Sequence, residues 1–101
     1  MTDAIPDLEI RHDAAERRFD ATIEGRVSVA NYRRVGDRLQ IVHTEVPREL
    51  QGRGIAAALV AAVLAYAQAN GLTVVPLCSY ARAYMRRHPE TRALLAPGAV
   101  V

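Results

Sequence analysis

The chain has 101 residues, a net charge of +2 and hydrophobic side chains at half of its positions. That length supports one folded unit around one core. Charges interrupt the apolar residues too often to leave the roughly 20-residue run that spans a bilayer, and the start Met-Thr-Asp lacks the basic-then-apolar pattern of a secretory leader. The expectation is a cytoplasmic protein with one domain over 1–101, its core from about 8 to 95 and a tail over 96–101.

Leu8-Glu9-Ile10-Arg11-His12 alternates in polarity, as does Arg18 to Glu24. Gly25 marks a turn, and Val27 to Tyr32 keeps the period of two, the pattern of half-buried strands. Val35-Gly36-Asp37 is a second turn signal, and Leu39 to Val46 reads as a further strand stopped by Pro47. Four short antiparallel strands joined by tight turns are the economical reading.

From about Gly52 to Asn70 the period changes. Ile55, Leu59, Val63 and Tyr66 fall on one helical stripe, and Asn70-Gly71 is a stop signal. Leu72 to Cys78 is an almost continuous apolar run, suited to a strand covered on both faces, with Pro76 removing one ladder donor. Ser79 can cap a second helix running to about His88 and ended by Pro89. The segment after Leu95 has no periodic signal and is expected to dangle. The class is α/β with a mixed sheet: antiparallel strands, then helix, strand, helix.

Gln51-Gly52-Arg53-Gly54-Ile55-Ala56 lies between the fourth strand and the long helix. Glycines at a helix entry let backbone N–H groups approach an anion closely, and the helix dipole favours phosphate there. The spacing is neither the triphosphate loop ending in Lys-Ser/Thr nor the three-glycine dinucleotide fingerprint. The stretch reads as a diphosphate cradle, with Gln51, Gly52, Arg53, Gly54, Ile55 and Ala56 as candidate binding residues. The competing role is an ordinary loop before a helix, since glycine is common there.

All thirteen basic residues are Arg. Arg is the better bidentate phosphate ligand, and Arg82, Arg86 and Arg87 form a basic helical edge. Acids interspersed with the arginines, the low net charge and the lack of an aromatic stacking motif argue against a nucleic-acid partner. The lone Cys78 cannot form an internal disulfide, in keeping with a reducing compartment. It stands between a strand and a helix, where free N–H groups favour a thiolate; a small buried hydrophobe is the alternative role.

Gln51-x-x-Gly54-x-Ala56 resembles the acetyl-coenzyme A signature of the GCN5-related N-acetyltransferases. With His43-Thr44-Glu45-Val46-Pro47, Val74-Val75-Pro76-Leu77-Cys78 and Tyr84-Met85-Arg86-Arg87-His88-Pro89-Glu90, the chain is similar to the minimal single-domain subgroup of that superfamily over roughly residues 8 to 95. The resemblance implies a sheet opening between its fourth and fifth strands, with the pantetheine arm of acetyl-coenzyme A in the gap. Thr44, Glu45 and Val46 would border the gap on one side, Leu77 and Cys78 on the other. A backbone N–H near Val46 would polarise the thioester, and Arg86 of the basic edge would hold a coenzyme phosphate.

The activity implied is acetyl transfer from acetyl-coenzyme A to an amine, by direct attack or through an acetylated Cys78. Direct transfer needs a base and an acid. Glu45 is the candidate base, with His43 two residues away on the same face as its competitor. Tyr84 is the candidate acid, a place Tyr80 also fits. A chain without Lys could not acetylate its own side-chain amines. Asp13 to Arg17 leaves space only for a turn where larger relatives carry helices over the acceptor, so the acceptor side should be open. The alternative function is a non-catalytic coenzyme A-binding module acting as sensor or partner subunit. No metal is expected, and the chain is read as a monomer or homodimer.

Overall fold

A computed structural model describes residues 8–101, so expectations for the first seven residues lie outside the described part. The elements are β1 (Arg11–Asp13), β2 (Arg18–Ile23), β3 (Arg26–Val35), β4 (Arg38–Glu45), α1 (Ile55–Ala69), β5 (Thr73–Pro76) and α2 (Ser79–Arg87), with 3-10 turns over Arg48–Leu50 and Pro89–Leu94. The sheet order is β1-β2-β3-β4-β5. The first four strands pair antiparallel, and β5 joins β4 in parallel after the crossover through α1. This is the mixed α/β architecture read from the sequence.

Cross-strand partners share a face of a sheet. Phe19 faces Ala30, Ala21 faces Ser28 and Tyr32 faces Ile41, all buried, so this face carries the core. α1 packs across it, contributing Ile55, Leu59, Val60, Val63 and Leu64. Each such side chain removed from water contributes about 1.5–3 kcal/mol. The opposite face holds Thr22, Val27 and Arg33, all exposed. One carboxylate there is buried: Asp20 is 2 % exposed, beneath Arg11 and Arg18, each 3.1 Å away. The Arg11 hydrogen bond holds its pKa below the usual carboxylate value, against the opposing effect of burial, with Arg18 assisting.

The chain leaves β4 irregularly. Asn31 pairs with His43 and Tyr32 with Ile41, so Val42 is an extra residue, a β-bulge. A one-residue offset exchanges the two faces of a strand. Thr44, opposite fully buried Ala30, therefore returns to the core face that Ile41 occupies. His43 and Glu45, opposite Asn31 and Val29, turn to the uncovered face.

Two expectations are corrected. The cap of α2 is Cys78 rather than Ser79: its backbone is extended and its sulfur accepts the Ala81 N–H at 3.3 Å. The segment after Leu95 does not dangle. Leu95 bridges to Val74, the Ala96 N–H donates to the Val74 carbonyl at 2.9 Å, and Ala96 is buried, so the end of the chain covers the outer edge of β5.

Candidate functional site

β5 pairs with β4 only from Arg38 to Ile41. Both the Leu77 and Cys78 N–H groups then donate to the Ile41 carbonyl, at 2.9 and 3.1 Å, which turns the chain away into α2. Pro76 ends β5, and among the described residues no strand pairs with Val42 to Glu45 on that side. The sheet splits where the fifth strand stops and the bulge begins. A cleft of about 580 Å³ opens there. Its wall is Thr44, Glu45 and Val46 from β4 and its exit, Leu50 to Gly52 and Gly54 to Ala57 from the loop and α1 except Arg53, and Tyr80 and Arg87 from α2.

The loop has the form its glycines suggested. Gly52 and Gly54 have φ of +84° and +82°, a region that only glycine enters readily. The first helical backbone bond runs from Ala58 N–H to the Gly54 carbonyl, 3.0 Å. The six N–H groups from Gly52 to Ala57 therefore have no backbone acceptor among the described residues. Six donors at the positive end of a 15-residue helix make a concavity for an anion. A Cβ built at either glycine meets nothing within 4 Å, so the space above these amides is open. The ends of the loop are fixed by buried Leu50 and Ile55. Gln51 folds inward, its side-chain amide donating to the Val46 carbonyl at 3.1 Å.

The chemical groups divide. Glu45 lines the cleft, and its Oε1 lies 3.2 Å from His43 Nε2. Both side chains are exposed, and His43 reaches the cleft through Glu45. Cys78 lies behind the wall, its sulfur 3.9 Å from the Thr44 hydroxyl. Tyr80, not Tyr84, stands in the cleft. Burial raises the pKa of the Tyr80 phenol, with Arg87 opposing, so it holds its proton at neutral pH. Tyr84 stacks on His88 at 4.0 Å and lines a separate hollow of about 260 Å³ beside Gln68 and Glu90.

Arg86 is likewise displaced by Arg87. At 100° per residue Arg87 follows Tyr80 down the same side of α2, two turns on, whereas Arg86 points away. The Arg86 carbonyl accepts from Arg92 at 2.8 Å. Arg53 also leaves the cleft wall, since its guanidinium lies 3.3 Å from Glu24. Sequence reasoning missed Leu50 and Ala57, and it placed Arg87 on the basic edge without singling it out. An apolar residue just before a glycine loop was the available signal for Leu50.

Comparison with known proteins agrees with this geometry. The family model for GCN5-related N-acetyl-transferases matches residues 18–94. The chain belongs to the GCN5-related N-acetyltransferase family. It is 33 % identical to Protein NATD1 of Gallus gallus over 85 residues, 81 % of this chain and 77 % of that protein. Protein NATD1 of Homo sapiens is 33 % identical, with 81 % of this chain and 75 % of that one covered. The solution structure of a GCN5-like protein of Staphylococcus aureus superposes with a TM-score of 0.72 at 26 % identity, covering 91 % of both chains. In this acetyltransferase-family chain no helix among the described residues is long and apolar enough to cross a membrane, and they contain no cluster of three or more metal-ligating side chains.

Proposed function

We propose that the chain transfers an acetyl group from acetyl-coenzyme A to an amine. The observation that carries this reading is the run of six N–H groups from Gly52 to Ala57 with no backbone acceptor among the described residues, five of them on residues that line a cleft continuing into the split between β4 and β5. Those amides suit the linked phosphates, and Arg87 is the cation available to a further phosphate. The unpaired edge of β4 from Val42 to Glu45 offers hydrogen bonds to an amide-bearing arm, as an added strand would. Acetyl-coenzyme A, as co-substrate, supplies the activated thioester.

Val46 lines the cleft, and its N–H would polarise the thioester oxygen, where charge develops during attack. Glu45 and His43 take the proton from the incoming ammonium. When His43 Nε2 donates to Glu45, its Nδ1 lone pair remains to accept that proton. Tyr80 gives a proton to the departing thiolate. The Thr44 contact leaves Cys78 within one residue of the wall, so transfer through its sulfur is the second route. The uncovered sheet face beside His43 and Glu45 suits an acceptor presented on a larger molecule.

Calorimetry with coenzyme A, together with thiol release in the presence of an amine panel, tests the reading. Binding and turnover are expected, with Glu45→Gln lowering kcat by about 10²- to 10⁴-fold at unchanged coenzyme affinity. Binding without turnover of any amine would instead support the coenzyme-binding module. No binding at all would overturn both. Intact-mass measurement on wild type and Cys78→Ala separates the two routes: an acetyl adduct lost in the variant supports the sulfur route.

A further inference from the structure

The loop that presents the six amides is tied to a hairpin distant in sequence. β2 and β3 are joined through Glu24-Gly25, with φ of +53° and +75°, a tight two-residue turn with both central residues left-handed. Glycine is at home there, and asparagine is a favoured partner; glutamate is not. Glu24 therefore departs from the local preference of its own turn. Its Oε2 accepts from Arg53 Nη1 at 3.3 Å. On the other side of Gly25, Arg26 Nε lies 3.4 Å from Glu49 Oε1. The two pairs have opposite polarity: an acid of the hairpin holds a base of the loop, and a base of the hairpin holds an acid just before it. Together they straddle Gln51-Gly52.

Between buried Leu50 and Ile55 the loop is otherwise held, among the described residues, only by the bonds Gln51 makes to the Arg48 and Val46 carbonyls. The residues whose amides must converge on the anion are thus fixed at one end by Gln51 and in their middle by the hairpin.

We propose that the Glu24-Gly25-Arg26 turn is a clamp that sets the diphosphate-binding loop before its ligand arrives. Glu24 and Arg26 are its positioning residues. The inference rests on the coenzyme reading of the cleft. A loop held in its binding geometry loses less freedom on binding, and this difference appears as affinity.

The sign of the effect separates a clamp from plain electrostatics. Glu24 is a negative charge beside an anion site, so by Coulomb repulsion alone its removal tightens binding. A clamp predicts the reverse. Asparagine suits the positive φ at position 24, so Glu24→Asn keeps the turn and does not lower the melting temperature. Exposed ion pairs are individually weak, so the coenzyme A affinity of Glu24→Asn and of Arg26→Glu is expected to fall about three- to tenfold. The exchange Arg26→Glu with Glu49→Arg restores the pair and should return affinity to within about twofold of wild type.

Calorimetry with coenzyme A on the full chain measures this. Tighter or unchanged binding in Glu24→Asn overturns the clamp, as does an exchanged pair that rescues nothing. If wild type gives no heat, the coenzyme reading fails instead, and the clamp is then read without ligand from amide order parameters. Those of Gly52, Arg53 and Gly54 should drop in Glu24→Asn, and equal values overturn it.

Discussion

Strand β4 has two halves that differ in one neighbour. From Arg38 to Ile41 it lies between β3 and β5, with Leu39 and Ile41 fully buried. From Val42 to Glu45 it keeps β3 but loses β5, and Glu45 is exposed. The first half holds the sheet together and the second is free to bind. What separates them is one extra residue, Val42, and one proline that ends β5. A family site of this kind needs no additional layer of structure, only a strand that outlasts its partner.

The comparison is broken most severely from the first half. Ile41 is completely buried, and Ile41→Ala leaves a cavity among α1, β3 and β5, so chemical denaturation should show a loss of about 2–5 kcal/mol. Thr44→Ala in the second half is expected to lose less than about 1 kcal/mol, because only its weak contact with Cys78 is removed. Equal losses would show that the two halves are not energetically distinct.

A smaller effect tests the loop facing the open half. Gly54 has φ +82° with free space around it, so a side chain there is opposed by backbone strain rather than by a clash. Gly54→Val should carry roughly 1–3 kcal/mol of strain. If relief of that strain misplaces the amides, coenzyme A affinity falls by roughly 5- to 150-fold. Calorimetry measures the loss, and far-ultraviolet dichroism should show the fold retained.

The sequence showed those features that are local. Alternation located four strands, the stripe from Ile55 to Tyr66 located α1, and Gln51 to Ala56 marked the loop, because glycines at a helix entry leave a pattern in consecutive residues. The bulge left no such trace. Leu39 to Val46 alternates acceptably in either register, and Val42 is apolar enough to pass as an ordinary strand residue. The choices of Tyr80 over Tyr84 and Arg87 over Arg86 depend on how α2 is rotated about its axis, which packing of Ala81 and Met85 sets. Clustering of His12, Phe19, Tyr32 and Tyr66, with ring centroids 4.1 to 6.2 Å apart, joins residues from β1 to α1 that no local pattern connects. The docking of Ala96 on β5 is likewise a pairing between distant segments.

The smallest expected effect concerns two carboxylates in one row of the uncovered face. Asp20 lies opposite Val29, and Val29 lies opposite Glu45. The Asp20 side chain is 3 % exposed beneath its two arginines, and that of Glu45 is 70 % exposed beside His43. Asp20 titrates below its ordinary range in the folded state. Its contribution to stability is therefore complete above the unfolded value, about pH 3.9, and is lost as pH falls through the folded value. Arg11 is largely exposed and solvent screens its pair, so Asp20→Asn should lose only about 1 kcal/mol at neutral pH. Denaturation followed from pH 6 down to pH 2 should show the wild type converging on Asp20→Asn as acid protonates the carboxylate. The exposed Glu45 has no such buried pair, so Glu45→Gln should change stability at neutral pH by less than about 0.5 kcal/mol while its acetyl transfer is impaired. A larger loss in Glu45→Gln than in Asp20→Asn would place the structural carboxylate in the cleft and reverse the division of labour along this row.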